Sequence, residues 1–267
     1  MKKILICLII LIFSTAIYAG EKLWTKPFDK DIEWIKVTEL GSLLAATKEK
    51  LYCLDPATGE IKWEKEQKKL PEQLLEFVSG TPIFFIPTTE GFAKGKAKLT
   101  AYNLDDGKVL WETDNFEGFS LGVFPIFSKD FILMFVSQYN MGGGDISAYA
   151  IDMATGNIKW KKDKIVDKTP ELYEAPGSGK IFKKFGLKGG QQPIIDGDEI
   201  IFAFPNVIKF SLNDGSMIYK SDVDISKGDV APQQGYANWI SEDDMIFMPN
   251  GRRVIAISKK DGKLKWE

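Results

Sequence analysis

Apolar residues along this chain come in short runs, and polar turn residues separate one run from the next. Leu51–Leu54, Leu99–Tyr102, Ile146–Ile151 and Val254–Ile257 are examples. Each is followed by a turn that contains Gly, and then by a second run in which Lys alternates with Ile, Leu or Trp. Two such runs joined by a Gly-containing turn predict a β-hairpin, because Gly readily adopts the positive φ that tight turns need.

Further strand signals lie upstream of each hairpin. Gly41–Thr47 and Gly80–Pro87 are two of them, and Phe131–Val136 is apolar without a break, as expected for a strand buried on both faces. Ile194–Phe202 contains an Asp-Gly turn between two apolar runs. With about four short strands per repeat and no long helix after the N-terminal segment, the pattern predicts an all-β fold, a β-propeller of four-stranded antiparallel blades.

One phrase, Gly-x-x-x-Trp, marks the repeat and occurs six times, once with Tyr in place of Trp. Its aromatic positions are separated by 39, 48, 49, 59 and 47 residues, which indicates a repeat architecture. The glycine and aromatic positions of the phrase are Gly20 and Trp24, Gly59 and Trp63, Gly107 and Trp111, Gly156 and Trp160, Gly215 and Tyr219, and Gly262 and Trp266. The favoured interpretation is packing between blades, because Trp buries a large area. The alternative is an aromatic cage for a ligand.

The longer repeat unit is Ala-x-Asp-x-x-Thr-Gly-x-x-x-Trp, seen in full at Ala150–Trp160 and with Cys53 in place of Ala at Cys53–Trp63. This unit resembles the tryptophan-docking motif of the PQQ-like β-propeller repeat family, and the resemblance covers nearly all of the chain after residue 19. It implies a propeller, usually with seven or eight blades. The family includes quinoprotein dehydrogenases and BamB-type scaffolds for outer-membrane assembly.

Three departures limit what the resemblance implies about function. The chain lacks the adjacent cysteines of quinoprotein alcohol dehydrogenases, and it lacks the lipid-attachment motif of BamB. The fifth copy of the unit, Phe210–Gly215, lacks the Ala and is interpreted as one residue short. We therefore predict no catalytic, cofactor-binding or metal-binding residues, and PQQ is implied only by the resemblance.

The N-terminal segment has the pattern of a secretory signal. Lys2 and Lys3 precede an apolar run, Ile4–Phe13, and a less apolar stretch ends at Ala19. We predict a signal peptide at residues 1–19 and a propeller domain at residues 20–267, exported to the periplasm or the extracellular space. The alternative is an uncleaved membrane anchor, although the run is shorter than the ~20 apolar residues of a spanning helix.

Composition excludes several classes of function. The chain has no His, which excludes Ser-His-Asp and Cys-His nucleophile systems and His-ligated metals or haem. Removal of Lys2 and Lys3 with the signal changes the net charge from −2 to −4, which argues against nucleic acid as a partner. Cys53 is the single cysteine after residue 19, so we expect no internal disulfide.

Other candidate sites are weaker. The longest repeat holds an insertion within residues 164–192, and residues 159–188 carry five more Lys than Asp and Glu, which suits either an anionic partner or a solvated loop. The acidic groups at 105–106, 196–198 and 242–244 are interpreted as turns rather than as acid–base or Ca²⁺ sites. A polar and aromatic segment at 233–239 offers Tyr236 and Trp239 as a possible ligand face.

The ends of the repeat series bear on blade number. Six phrases enclose five intervals, and the last phrase ends at Glu267. We expect about five blades to be visible and the ring to be incomplete. The predicted function is an exported, non-catalytic scaffold that binds another protein. The alternatives are a fragment of a PQQ-dependent oxidoreductase and a propeller that binds a small molecule or a polysaccharide.

Overall fold

The computed structural model of the protein describes residues 23–91, 95–140, 143–169, 193–204, 206–224, 239–250 and 253–267. The predicted signal peptide at 1–19 and Gly20 lie outside the described residues. The described parts contain strands, turns and two short 3₁₀ helices, Glu72–Leu74 and Phe127–Lys129. None of their helices has the length and apolar character needed to cross a membrane.

The strands form five antiparallel sheets, here called blades 1 to 5, and in each blade the strands pair in chain order. Blade 1 contains β1 (Trp34–Val37), β2 (Leu43–Ala46), β3 (Lys50–Leu54) and β4 (Ile61–Glu66). Blade 2 contains β5 (Glu76–Phe77), β6 (Ile83–Glu90), β7 (Lys96–Asn103) and β8 (Val109–Glu112), and β9 (Phe116–Glu117) adds to β7. Blade 3 contains β10 (Phe119–Ile126), β11 (Phe131–Asn140), β12 (Gly143–Asp152) and β13 (Ile158–Thr169). Blade 4 contains β14 (Ile194–Asp196), β15 (Glu199–Phe204), β16 (Asn206–Ser211) and β17 (Met217–Asp224). Blade 5 contains β18 (Ile240–Glu242), β19 (Met245–Asn250), β20 (Arg253–Ser258) and β21 (Leu264–Trp266). The prediction of an all-β propeller fold built from four-stranded antiparallel blades is confirmed.

In blades 1 and 3 the turn before the outer strand is built from the Asp and Gly of the repeat unit. In blade 1 the Asp55 carboxylate accepts hydrogen bonds from the backbone N–H groups of Ala57 at 2.8 Å and Thr58 at 3.1 Å. Gly59 then takes φ +73° and donates its N–H to the Asp55 carbonyl at 2.8 Å. The side-chain bonds replace backbone partners that the reversing chain cannot supply. Asp152 and Gly156 repeat this arrangement in blade 3.

The chain divides into two compact units. The first comprises the described residues up to Leu70 together with Asp105–Gly107, and the second comprises Pro71–Leu104 and Lys108–Glu267. In the first unit a small core of Ala45, Tyr52 and Leu54 packs against Phe28, whose ring centroid lies 4.9 Å from that of Tyr52.

In the second unit, strand β11 shows why its sequence is apolar without a break. Ile132, Met134 and Val136 face one way, into a core shared by blades 2 and 3, with Phe85 and Ala101 among its members. Leu133 and Phe135 face the other way, into a core shared by blades 3 and 4. Successive side chains of a strand alternate between faces, so a strand between two blades must be apolar at every position.

Candidate functional site: the docking positions

The aromatic ring of each phrase lies against the glycine of the next phrase along the chain. The pairs are Trp24 with Gly59, Trp63 with Gly107, Trp111 with Gly156, Trp160 with Gly215, and Tyr219 with Gly262. A Cβ atom placed on any of these glycines would come within 2.5–2.7 Å of a ring carbon of its partner. The glycines have φ between +69° and +75°. Each glycine therefore has two roles. It adopts the positive φ of its own turn, and its lack of a Cβ atom lets the aromatic ring approach the backbone.

The indole N–H groups make a second contact at the same turns. Trp24 donates to the carbonyl of Pro56 at 2.9 Å, Trp111 to that of Met153 at 3.0 Å, and Trp160 to that of Leu212 at 2.9 Å. Each acceptor lies three residues before the glycine that the ring covers. Ring packing and one directed hydrogen bond thus fix the position of each of these three turns relative to its ring.

The small residue of the repeat unit pairs with the aromatic residue across the hairpin. The pairs are Cys53 with Trp63, Ala101 with Trp111, Ala150 with Trp160, and Ala256 with Trp266. All four small residues are completely buried. Burial also raises the pKa of the Cys53 thiol, as expected for a cysteine that acts as a small apolar side chain.

Blade 4 departs from this arrangement at both positions. The register pairs Lys209 with Tyr219, so Lys209 occupies the place of the Ala. The interpretation of this copy as one residue short is therefore wrong, because Lys209 and Gly215 are separated by the same six positions as Ala150 and Gly156. Sequence reasoning missed Lys209 because the fifth copy of the unit was read from Phe210. A register count from the glycine would have found it.

The first and last phrases differ from the others. Trp24 lies outside any strand in the described residues, whereas the aromatic residues of the other five phrases lie in strands. The contacts that hold its indole come from Gly59 and the Pro56 carbonyl rather than from a strand ladder. Trp266 is half exposed, and its ring centroid lies 5.9 Å from that of Phe247.

Of the acidic groups predicted to be turns, 105–106 lies between strands, whereas Asp196 and Glu242 end β14 and β18 and the rest of their groups lies at the following turns. The acidic residues Asp196 and Asp198 of blade 4 form ion pairs. Asp196 lies 3.8 Å from the Lys209 ammonium, whereas Asp198 lies 2.6 Å from that of Lys129. The Lys129 hydrogen bond, with one from Asn213, lowers the pKa of Asp198. Within the part of the chain that the structure describes, no group of three or more His, Cys, Asp or Glu residues is placed to hold a metal ion.

The remaining candidates fall partly outside the described residues. Trp239 is half buried and packs against the apolar clusters on both sides of blade 4. Tyr236 and residues 170–192 of the insertion lie outside the described residues. A ligand face at Trp239 and Tyr236 stays a prediction, as does an anionic partner for the insertion.

Comparison with solved structures gave distant likenesses. A quinohemoprotein alcohol dehydrogenase from Comamonas testosteroni is 12% identical, with a TM-score of 0.48 over 84% of this chain and 40% of that one. The chain thus spans less than half the length of that dehydrogenase. The C-terminal WD40 domain of Sif2 is 15% identical, with a TM-score of 0.47 over 87% of this chain and 58% of that one. At these TM-scores neither likeness carries an argument about fold or activity.

Comparison of the sequence with known proteins was more informative at the level of families. A search of curated proteins found no significant match. The profile of the family described as "Outer membrane protein assembly factor BamB", a family of PQQ-like repeats, matches residues 78–218, which is more than half of the chain. This range contains the docking pairs Trp111 with Gly156 and Trp160 with Gly215. The resemblance to PQQ-like repeats is therefore confirmed, and the chain belongs to this BamB-like family of PQQ-like β-propellers.

Proposed function

We propose that this protein is an exported, non-catalytic propeller that binds another protein and acts as a scaffold. The family to which it belongs is named for a factor in outer membrane protein assembly, which supports a role in contacts between proteins. The signal-like pattern of residues 1–19 supports export. A periplasmic location suits both observations.

The observation that carries the proposal is a set of exposed apolar side chains in the first unit. Ile35 and Val37 alternate along β1 and are 63% and 67% exposed. In blade 1, β1 pairs with β2 and stands at the edge of its sheet. Leu23, Ile32 and Leu40 are exposed nearby in the sequence. An edge strand with exposed apolar residues is a site at which another polypeptide can pair and bury surface.

The chemistry of the described polar groups supports a non-catalytic role. Asp55 and Asp152 cap turns, while Asp198 is held by a lysine. The repeated aromatic residues, from Trp24 to Tyr219, pack on glycines instead of lining a cage. These side chains serve the fold, and the chain has no His for acid–base or nucleophilic chemistry at neutral pH.

The proposed partner surface is tested by site-specific photo-crosslinking in cells. A photoreactive amino acid is placed at Ile35 or Val37, and Lys62, an exposed residue of β4, is the matched control in the same unit. We expect a single defined protein adduct from positions 35 and 37 and none from position 62. Equal adducts from all three positions, or none from any while the protein is exported normally, would reject the surface.

Export is tested separately by N-terminal sequencing of the protein from the periplasmic fraction. We expect the mature chain to begin at Gly20. Recovery of the chain in the cytoplasm with Met1 retained would contradict export. The partner surface is tested independently by the crosslinking experiment.

A further inference from the structure

The docking position of blade 4 lacks the donor that other blades use. Tyr219 covers Gly262 as the tryptophans cover their glycines, but a phenol has no indole N–H. Its hydroxyl is buried and has no hydrogen-bond partner among the described residues. The acceptor that matches those of Trp111 and Trp160 is the carbonyl of Lys259, three residues before Gly262.

Lys209 reaches this acceptor instead. Its side chain is 7% exposed, and its ammonium donates to the Lys259 carbonyl at 3.3 Å. Lys209 belongs to β16, whereas Lys259 follows β20, so the bond joins blades 4 and 5 within the second unit. The bond takes the place of the indole hydrogen bond that Trp111 and Trp160 make in their joints.

The charge of Lys209 is neutralised by its own blade. Glu199 of β15 forms an ion pair with the ammonium, and Asp196 of β14 lies 3.8 Å from it. These two carboxylates face each other across the β14–β15 pair, on the same face of the blade as Lys209. A buried ammonium needs such partners, because desolvation of an unpaired charge is costly.

The two substitutions also exchange bulk. Other hairpins pair a completely buried Ala or Cys with Trp, whereas blade 4 pairs Lys with the smaller Tyr. Blade 4 thus combines a longer side chain on β16 with a smaller ring on β17. In blade 4 the hydrogen-bond donor and the longer side chain are both on Lys209, and the smaller ring is Tyr219. We therefore interpret the two departures from the repeat unit as one coupled change, in which each substitution compensates for the other.

We propose that Lys209 is the docking residue of the joint between blades 4 and 5, where its ammonium replaces the indole N–H that Trp111 and Trp160 supply in their joints. Lys209 is a positioning residue, and the Lys209–Tyr219 pair is an alternative solution to Ala–Trp. Restoration of the Ala–Trp pair should therefore make the lysine dispensable.

The test is hydrogen exchange of the β20 amides in the full chain, compared among wild type, Lys209→Ala, Lys209→Met and Lys209→Ala with Tyr219→Trp. We expect exchange in β20 to become roughly ten- to a hundredfold faster in Lys209→Ala, as loss of a charged hydrogen bond implies. Lys209→Met keeps the length of the side chain but removes the donor, so it should accelerate exchange comparably. The double variant should return to within about threefold of wild type.

The control is Lys98→Met, in a lysine of blade 2 that pairs with Glu112 at 2.7 Å. It should leave β20 exchange unchanged. The proposal is overturned if Lys209→Met exchanges like wild type, which would assign Lys209 to packing alone, or if the double variant is no slower than Lys209→Ala. If a single variant fails to fold, a folded double variant supports the proposal and an unfolded one overturns it.

Discussion

The glycine of each docking turn carries two constraints at once, a positive φ and contact with an aromatic ring. Gly156 has φ +75°, and a Cβ atom there would lie 2.6 Å from the Cε3 atom of Trp111. Gly197 has φ +60° in the β14–β15 turn but has no heavy atom within 4 Å of such a Cβ. A comparison of substitutions at Gly156 and Gly197 therefore separates the cost of backbone strain from the cost of contact with the ring.

We predict that Gly156→Ala destabilises the protein more than Gly197→Ala does. Both substitutions place a side chain in the left-handed region, at a cost of about 1–3 kcal/mol. Gly156→Ala also forces Trp111 to move, which should add roughly 1–3 kcal/mol. Urea denaturation of the two variants measures the difference. Equal losses would show that the ring contact contributes nothing.

Tyr219 provides a second test at the scale of one residue, because burial raises its pKa to about 12. Its phenol is neutral in both states below pH ~10, the usual pKa of tyrosine. Between pH 10 and 12 the unfolded chain loses the proton more readily, so the stabilisation present at lower pH is lost as pH rises.

We therefore expect the stability of the wild type to fall from pH 9 to pH 11 more steeply than that of Tyr219→Phe. At neutral pH the variant should be as stable as wild type, or more stable by about 1 kcal/mol, because the hydroxyl has no partner in the described residues. Denaturation midpoints at the two pH values provide the measurement. Parallel pH profiles of the two proteins would contradict a raised pKa of Tyr219 in the folded state.

At the scale of elements, the joints between blades of the second unit combine face-to-face apolar packing with one docking contact. Trp111 shows the combination: its ring covers Gly156, its N–H donates to Met153, and its centroid lies 5.6 Å from that of Phe85. Trp266 holds the same position in the phrase of blade 5 but is half exposed. The two tryptophans therefore differ in what they bury.

We expect Trp111→Ala to cost about 3–5 kcal/mol, as for a buried aromatic residue in a core. Trp266→Ala, the matched control, should cost markedly less because half of its surface is already in water. Thermal and chemical unfolding report both values. An unchanged melting temperature in Trp111→Ala would refute its packing role.

Sequence reasoning located the hairpins and their turns well, for local reasons. Two examples are the alternation of Ile132 to Val136 and the Asp55–Gly59 turn. Both depend on neighbours within a few residues, which the sequence shows directly. The partner of Trp160 is not, because its acceptor at Leu212 lies 52 residues away. The role of Lys209 required both that spacing and knowledge of which faces meet.

At the scale of the whole molecule, family membership and chemistry point in different directions. The family shares its repeats with cofactor-dependent enzymes, yet the chain lacks the adjacent cysteines and any histidine. In the described residues the docking aromatic rings from Trp24 to Tyr219 cover glycine turns. The scaffold function proposed above rests on these residues and on the exposed apolar edge of β1.

We predict that PQQ with Ca²⁺ neither raises the melting temperature of the purified protein nor acquires a bound-cofactor absorbance. A ligand present at a hundred times its Kd stabilises a protein by ~2.7 kcal/mol, which a thermal shift readily detects. Samples with Ca²⁺ alone serve as the control. A shift that requires PQQ would favour the oxidoreductase interpretation over the scaffold.

The sequence by itself determined the blade repeat, the turn chemistry and the excluded reactions, because each depends on residue type and short spacing. The tertiary structure decided which ring meets which glycine, that the motif Ala is buried opposite the tryptophan, and how Lys209 substitutes for an indole. Those contacts join residues some 40 to 50 positions apart. These contacts form only when two sheets pack against each other. The repeat along the chain therefore identifies the residues that take part, whereas the packing of the blades determines which residues they contact.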